Sequence, residues 1–297
     1  MPQIAKPTLL DRLSTAALRV LPQHLLAAGM YRLMRAETPW LKRLLINKIS
    51  QRYNVDMTEA TDPNPDSYTS FNAFFTRTLR DDARPIAAHA VVSPADGRIS
   101  QIGQIAGDQL LQAKGQAFDL LALLAGDKAH AAAFGDGLYA TVYLSPRDYH
   151  RVHLPLAGTL ESMTFVPGDL FSVSEATTQL VPGLFARNER VICYFGTAKG
   201  PMAVILVGAI FVGSMETVWH GEVKGVGRDI TRWVYRGADR RAFATGDEIG
   251  RFNMGSTVIV LLPKDAATWQ PSLAPTVAVR MGEAISEPFV ETDGGAE

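Results

Sequence analysis

The chain has 297 residues, of which 47% are hydrophobic and 20% are charged, and its net charge is −1 at pH 7. This length can hold one large domain, or a domain with a smaller appendage. The composition excludes a wholly disordered chain and gives no charge signal for nucleic-acid binding by the whole protein. The single cysteine, Cys193, excludes a disulfide within the chain and favours a reducing compartment. Its place in the apolar run VICYF predicts a buried strand residue rather than a nucleophile.

Residues 8–53 are predicted to form two or three amphipathic helices, with a break at Pro22. Apolar residues recur there at helical spacing in three stripes: Leu9, Leu10, Leu13, Ala17 and Val20; Leu21, Leu25, Leu26, Met30 and Leu33; and Trp40, Leu41, Leu44, Leu45 and Ile49. Residues 1–53 carry nine Lys or Arg and two acids, a net charge of +7 that leaves −8 for the remainder. Such asymmetry indicates an acidic partner. The pattern fits either a helical cap on the main domain or a basic element on an anionic bilayer.

No targeting or membrane-spanning segment is expected. The first twenty residues lack the uninterrupted apolar core of a secretory signal. The longest apolar run, from Gly200 to Met215, has 16 residues, fewer than the roughly 18 to 20 that span a bilayer. Its Val and Ile content favours buried strands.

The loop DPNPD, Asp62–Asp66, indicates a boundary between a helical segment, 1–60, and a larger domain, 61–297. SFNAFFTRTL then predicts a short helix. From Val91 onward, short β-branched and aromatic runs alternate with turns such as SPADG and VPGD, which is typical of a β-rich domain. A helix is expected within it over Phe118–Gly126. The predicted fold class is therefore α+β.

Two stretches, SPADGRISQI and LPLAGTLESM, share a Pro, two residues and a Gly before an alternating strand. Together with ATGDEIGRFNMGSTVIV they weakly resemble the barrel-sandwich of lipoyl and biotinyl carrier domains. A carrier role is rejected because no lysine lies at a matching hairpin tip.

Candidate catalytic residues are scattered along the chain. His150 and His153, in DYHRVHLP, would lie on opposite faces of a strand but could converge on a turn. Metal binding is disfavoured, because the sequence has no His-Glu-x-x-His and no cysteine cluster. Asp96, in SPADG, suits either a turn or catalysis. Nucleophile-elbow, Walker and dinucleotide motifs are absent. The pair Gly255-Ser256, before the run TVIVLL, predicts either a tight bend or a reactive bond.

Several blocks in order give the chain a specific resemblance to the bacterial phosphatidylserine decarboxylase proenzymes, from about Leu9 to Leu262. They are FNAFFTRTLRDDARP, VVSPADGRI, YHRVHLP, LFSVSEATTQLVPGLFARNERV, VGAIFVGSMETV and FNMGSTVIVLLP. Met254 replaces the leucine usual in the family's Leu-Gly-Ser-Thr motif, a nearly volume-conserving change.

The resemblance implies that the chain cuts itself between Gly255 and Ser256. Ser256 Oγ would attack the Gly255 carbonyl, with His153 as its base and Asp96 as the group that orients His153. Glycine at 255 would leave the carbonyl open to attack and tolerate a strained backbone. The products would be a β chain, 1–255, and an α chain, 256–297, which a pyruvoyl group derived from Ser256 would cap.

The same resemblance implies decarboxylation of phosphatidylserine to phosphatidylethanolamine, with His150 as the proton donor. The pyruvoyl group would serve as the cofactor, without pyridoxal phosphate or a metal. The implied partners are an anionic membrane containing phosphatidylserine and a second copy in a homodimer, with no nucleic acid. The implied location is peripheral, on the cytoplasmic face of the cell membrane.

Two other functions fit the same residues. One is a Ser/His/Asp hydrolase that uses Ser256 without cleavage. The other is a non-catalytic membrane-binding β-domain. Intact mass distinguishes the first from a self-cleaving decarboxylase, and release of carbon dioxide distinguishes the second.

Overall fold

A computed structural model describes residues 6–113, 116–210, 214–224, 229–253 and 255–289. The helices are α1 (Leu9–Val20), α2 (Gln23–Met34), α3 (Pro39–Tyr53), α4 (Phe71–Phe75), α5 (Leu120–Leu123), α6 (Lys128–Phe134), α7 (Glu175–Leu180) and α8 (Leu184–Arg187), with 3-10 turns at Pro65–Ser67 and Gly237–Asp239. The strands are β1 (Gly97–Gln104), β2 (Gln109–Ala113), β3 (Gln116–Asp119), β4 (Leu138–Leu144), β5 (Arg151–His153), β6 (Gly158–Val166), β7 (Arg190–Thr197), β8 (Gly200–Val207), β9 (Met215–Thr217), β10 (Gly221–Val223), β11 (Thr231–Val234), β12 (Ala242–Phe243), β13 (Glu248–Phe252), β14 (Ser256–Leu262) and β15 (Ala278–Val279).

The main sheet is antiparallel throughout its described pairs. Its strands run in the order β11-β6-β7-β8-β14-β4-β1-β15, and β12 pairs with the edge of β6. A second sheet has the order β10-β9-β13-β5, and β2 and β3 form a separate hairpin. The α+β fold class with a β-rich domain is thereby confirmed.

Strand β14 lies in the middle of the main sheet, between β8 and β4. All seven of its residues are buried, as its continuous run of β-branched and leucine side chains predicts for a strand covered on both faces. The long apolar run from Gly200 forms β8 and leads to β9, so the predicted strands are confirmed. Cys193 is buried in β7, also as predicted.

Three helices form the N-terminal segment, and the break falls at Pro22, between α1 and α2. The α1 helix begins with a capping box, in which Thr8 and Asp11 bond each other's backbone amide. The C-terminal part of α2 is tied to the β-rich domain, because Arg35 lies 3.6 Å from Glu216 and 3.7 Å from Glu222. The helical segment is therefore docked on the domain through charged contacts.

A second, smaller core joins the helices to α4. It contains Met34, Ile46, Phe71, Phe74 and Phe75. The short helix expected within SFNAFFTRTL is confirmed over Phe71–Phe75. The helix expected over Phe118–Gly126 is shorter, Leu120–Leu123, because Phe118 pairs with Leu110 in the β2–β3 hairpin. The division at residues 60 and 61 stays a prediction.

Most of the exposed large apolar side chains of the described chain lie on the N-terminal helices and the residues beside them. They are Leu9, Leu10, Leu13, Val20, Leu21, Leu25, Leu26, Leu33, Trp40 and Leu44. None of the helices in the described residues is both long enough and apolar enough to cross a bilayer. The exposed apolar stripe therefore runs along helices that lie outside the main core.

Candidate active site

Ser256 is the first residue of the central strand β14. It pairs with Leu144 of β4, and the next residue, Thr257, pairs with Val207 of β8. Ser256 is fully buried, and its Oγ has no hydrogen-bond partner among the described residues. A buried hydroxyl without a partner costs free energy. The adjacent Thr257 shares this feature, so what distinguishes Ser256 is its position next to Gly255 and the histidine described below.

His150 lies beside the bond expected to break. It follows a turn in which the amide of Ser145 bonds Asp148 Oδ2 at 2.7 Å. Its Nδ1 lies 2.7 Å from the carbonyl oxygen of Asp148. Because a carbonyl only accepts, Nδ1 carries the proton and Nε2 presents its lone pair. That Nε2 is buried without a partner, and it lies 3.8 Å from where a Cβ on Gly255 would be.

Burial lowers the pKa of His150 to about 3, since an imidazolium in a low-dielectric interior is poorly solvated. The positive charge of Arg77 lowers the pKa further. Phe75 contacts the ring, with 4.0 Å between the two ring centroids. His150 is therefore a neutral imidazole at neutral pH, with its free nitrogen close to residue 255.

His153 has both ring nitrogens bonded. Nδ1 lies 2.7 Å from the carbonyl oxygen of Gly246, so it donates there, and Nε2 lies 3.1 Å from the hydroxyl of Tyr149. Burial lowers the pKa of His153 as well. The ring is thus neutral and oriented, but the nitrogen that would serve Ser256 as a base accepts from Tyr149.

Asp96 forms an ion pair with Arg84, whose Nε lies 2.9 Å from Oδ1 and whose terminal nitrogen lies 2.5 Å from Oδ2. Oδ1 also accepts from the amide of Met281 at 2.9 Å. The carboxylate makes no hydrogen bond to His153 in the described structure, and the expected Asp96–His153 contact is replaced by the carbonyl of Gly246. The backbone still holds the two segments together, because the His153 amide donates to the Pro94 carbonyl at 2.8 Å.

Gly255 has room for a side chain. A Cβ there would lie 3.6 Å from the Leu144 carbonyl oxygen and 3.8 Å from His150 Nε2, both ordinary contact distances. Steric crowding alone therefore does not require glycine. Met254, the residue that departs from the family's usual leucine, lies outside the described residues.

Comparison with known proteins decides the family. A family model described as phosphatidylserine decarboxylase matches residues 71–287, and a second one, described as PSD, matches residues 13–54. The chain belongs to the phosphatidylserine decarboxylase family. The resemblance found in the sequence blocks is thereby confirmed, and with it the expected class of enzyme, a carboxy-lyase.

Several curated relatives are named phosphatidylserine decarboxylase proenzyme. The one from Methylococcus capsulatus is 54% identical over 266 residues, covering 89% of this chain and 92% of the relative. Those from Marinobacter nauticus and Azotobacter vinelandii are each 50% identical, covering 94% of this chain and 99% of the relative. The similarity extends over nearly the whole length of this chain and of each relative, so it includes the helical segment.

Sequence reasoning missed a hydrogen-bonded group around Asn253, which supports the segment before Ser256 in this decarboxylase-family chain. Asn253 is buried, accepts from Asn72 at 3.0 Å and donates to Ser214 Oγ at 2.6 Å. It also donates to Glu216 Oε1 at 3.0 Å. The asparagine immediately before Met-Gly-Ser was the available signal, because asparagine is uncommon in a buried run unless it is bonded.

Metal ligation finds no support in the described part of this family member. No group of three or more His, Cys, Asp or Glu residues there is placed to hold a metal ion.

Proposed function

We propose that the chain decarboxylates phosphatidylserine to phosphatidylethanolamine after cutting itself between Gly255 and Ser256. The observation that carries the proposal is the buried, unpartnered Ser256 Oγ at the start of the central strand, beside the unpartnered Nε2 of His150. Membership of the phosphatidylserine decarboxylase family, and the word proenzyme in the names of the relatives, support it.

Self-cleavage needs a proton acceptor and a group that leaves. Ser256 Oγ loses its proton to a histidine and attacks the Gly255 carbonyl, which converts the amide into an ester. Elimination frees the Gly255 carboxylate and leaves dehydroalanine at 256, which water converts to pyruvoyl and ammonia. A pyruvoyl group fits this position, because the hydroxyl lost in the reaction holds no structural hydrogen bond.

The pyruvoyl group supplies a carbonyl that binds the substrate amine and takes up the electrons left when carbon dioxide departs. The side chains around residue 256 supply the rest. Phe75 and the buried strand residues exclude water from the His150 ring. Such exclusion strengthens each charge interaction at the reacting atoms.

We assign the two histidines as the resemblance implies: His153 accepts the Ser256 proton during cleavage, and His150 donates a proton during decarboxylation. To donate, the unprotonated Nε2 of His150 must first take up a proton. The position of His150 against residue 255 supports its role at the neighbouring residue 256. For His153 to act as a base, its Nε2 must exchange the Tyr149 hydroxyl for Ser256 Oγ. Asp96 then acts on His153 through space or after Arg84 has shifted, since Arg84 holds it in the described structure.

We propose further that the helical segment lies on an anionic membrane, on the cytoplasmic face of the cell membrane. The exposed leucines of α1 and α2, with Trp40, form its apolar side. The net charge of +7 in residues 1–53 complements anionic headgroups. The substrate resides in such a bilayer, so docking would bring it to the enzyme. The homodimer stays a prediction.

Intact mass and carbon dioxide release test this function. Purified protein should give two pieces on denaturing analysis, 1–255 and 256–297, with the smaller piece blocked to N-terminal sequencing by its pyruvoyl cap. Vesicles containing phosphatidylserine should release carbon dioxide on its addition. A single uncleaved chain that hydrolyses esters, or a protein that binds vesicles without releasing carbon dioxide, would refute the proposal.

A further inference from the structure

A cavity of about 320 Å³ lies between helix α2 and the β-rich domain. Helix α2 contributes His24, Tyr31 and Arg32 to its lining, and the domain contributes Glu189, Ser214 and Lys224. The three bases are exposed, whereas Ser214 is buried and Glu189 is half-buried. This cavity, called the α2 cavity below, therefore has a basic mouth and an acidic floor.

The floor of the α2 cavity and Ser256 lie on one row across the main sheet. Arg190 pairs with Val207, and Val207 pairs with Thr257 on its other side. Moving one residue further along each strand places Glu189 beside Gly208, and Gly208 beside Ser256. The Gly208 amide donates to the Glu189 carbonyl at 2.8 Å, which confirms that register. Directly paired residues point to the same face of a sheet. Glu189 and Ser256 therefore share a face, with Cα atoms about 10 Å apart across two strand spacings.

Glycine at position 208 leaves room for two other side chains to pack over the row between Glu189 and Ser256. A Cβ there would lie 3.2 Å from the Glu189 carbonyl oxygen, 3.6 Å from Met215 Cε and 3.8 Å from Leu170 Cδ2. Leu170 is itself part of the lining of the α2 cavity. The cavity and the Ser256 side chain thus lie on the same face of the sheet, with Met215 and Leu170 packed between them.

No contact of the Glu189 carboxylate with the described residues explains its position. Its carboxylate makes no ion pair or hydrogen bond with the described residues, and burial raises its pKa to about 7. Arg190, the next residue, instead uses its guanidinium to bond the carbonyls of Leu123, Ala186 and Asn188. A carboxylate set into a cavity without a partner is suited to receive a cation from outside.

The mouth of the α2 cavity is basic. Arg32 makes no ion pair with any described residue, and Lys224 pairs with Glu222 at 3.0 Å while about two thirds of its side chain stays exposed. Leu25, Leu26 and Leu33 are exposed on the same helix. Exposed cations beside an exposed apolar stripe suit a phosphate whose acyl chains stay in the bilayer.

We propose that the α2 cavity is the headgroup subsite for an aminophospholipid, in which Arg32 and Lys224 bind the phosphodiester and Glu189 binds the ammonium. This inference rests on the proposed function and deepens it. It orients the headgroup with its phosphate toward the membrane-facing helix and its amine toward residue 256. Glu189 would take no part in cleavage; it would bind the amine that reacts.

Binding of short-chain lipids to the Ser256→Ala protein tests the subsite without turnover. The probes are monomeric dihexanoyl-phosphatidylethanolamine, which carries an ammonium, and dihexanoyl-phosphatidylglycerol, which does not, with calorimetry as the measurement. Adding Glu189→Gln should weaken binding of the first about tenfold, since one charge-assisted contact is lost, and leave the second within twofold. Adding Arg32→Gln and Lys224→Gln should weaken both.

Glu175→Gln is the matched control, because Glu175 lines a different cavity and should change neither affinity. Glu189→Asp should retain part of the preference for the ammonium lipid, which a loss of folding would not. Inorganic phosphate at tenfold excess should fail to displace either lipid, because it lacks the acyl chains and the amine.

Equal effects of Glu189→Gln on both lipids, or no effect, would overturn the assignment, and so would displacement by phosphate alone. Carbon dioxide release by the unmodified chain is measured separately. A chain that decarboxylates phosphatidylserine while Glu189→Gln leaves the lipid preference unchanged would refute the subsite and leave the proposed function standing. A chain that prefers the ammonium lipid through Glu189 but releases no carbon dioxide would refute the proposed function and leave the subsite standing.

Discussion

The N-terminal helices and strand β14 place similar apolar side chains in opposite surroundings. Ten of the fifteen exposed large apolar residues of the described chain lie between residues 9 and 44, whereas all seven residues of β14 are buried. The strand has sheet neighbours on both edges and cover on both faces, while α1 buries only Thr15. The difference indicates that the strand belongs to the core of the domain, and that the helices are suited to a partner outside it.

The sharpest test of the strand is Ser256→Ala. This change removes both the attacking oxygen and the atom from which the pyruvoyl group would form. We expect one chain of 297 residues and no measurable decarboxylation, as judged by intact mass and by carbon dioxide release. A 42-residue fragment from this variant would show that the cleavage site lies elsewhere.

Variants of the two histidines should distinguish the cleavage step from the decarboxylation step. We expect His150→Ala to process normally but to turn over about 10² to 10⁴ times more slowly, as befits loss of a positioned acid. We expect His153→Ala to stay largely uncleaved. Processing is followed by gel mobility and turnover by carbon dioxide release.

The opposite pattern has a clear structural meaning. If His150→Ala blocks cleavage and His153→Ala does not, then the free Nε2 of His150 is the base and the roles are exchanged. Tyr149→Phe serves as a further check, because it frees His153 Nε2 and should not slow cleavage if His153 is the base.

The helices can be tested by replacing two exposed leucines. Leu9→Gln with Leu13→Gln should weaken binding to anionic vesicles about 100-fold, the equivalent of losing about 1 to 2 kcal/mol of burial for each leucine. The fold should be unaffected, since Leu9 is 72% exposed and Leu13 is 59% exposed. Vesicle sedimentation measures the binding, which should also weaken with salt.

Leu111→Gln is the control for that experiment, because Leu111 is 51% exposed but belongs to the β2–β3 hairpin. It should leave vesicle binding unchanged. Equal losses from the hairpin and helix variants would mean that binding follows general surface hydrophobicity, and would remove the helices from their special role.

The smallest expected effect concerns the pH dependence of stability. Burial raises the pKa of Glu189 from 4.5 to about 7. The folded state therefore binds the proton more tightly than the unfolded state, and the stability from this proton is present at low pH and is lost as pH rises through 7. Between pH 5.5 and pH 8 the free energy of unfolding should fall by about 2 kcal/mol more in the unmodified chain than in Glu189→Gln. Urea unfolding at both pH values measures this difference, and parallel curves would contradict the pKa of about 7.

Much of the fold was predictable because local patterns and burial agree. The run beginning at Ser256 reads as a buried strand, and the spacing of Leu9, Leu13 and Val20 gives a helix. The limit of this reasoning shows at Phe118, where an apolar run predicts a longer helix. Hairpin pairing with Leu110 decides that conformation instead, and such pairing depends on a residue outside the run.

For the candidate site, the sequence predicts which residues belong to it but not how they contact one another. Motifs identify Asp96, His150, His153 and Ser256, but they do not give their contacts. The bond from Asp96 to Arg84 and that from His153 to Gly246 depend on how distant segments pack. Glu189 had no sequence signal of its own, because its burial requires α2 to lie over the end of β7.

The central position of β14 would affect the lifetime of the protein if it is cut as proposed. After a cut before Ser256, the strand would belong to a separate 42-residue piece, yet it would stay hydrogen-bonded to β4 and β8 on its two edges. Its departure would break two ladders at once, so exchange of the piece should be slow. Once unfolded, however, two molecules would have to find each other again, and recovery would depend on concentration. Cleavage would therefore change refolding from a process within one chain to an association of two. The cleaved complex would be stable while intact, but it would not reassemble after denaturation and dilution.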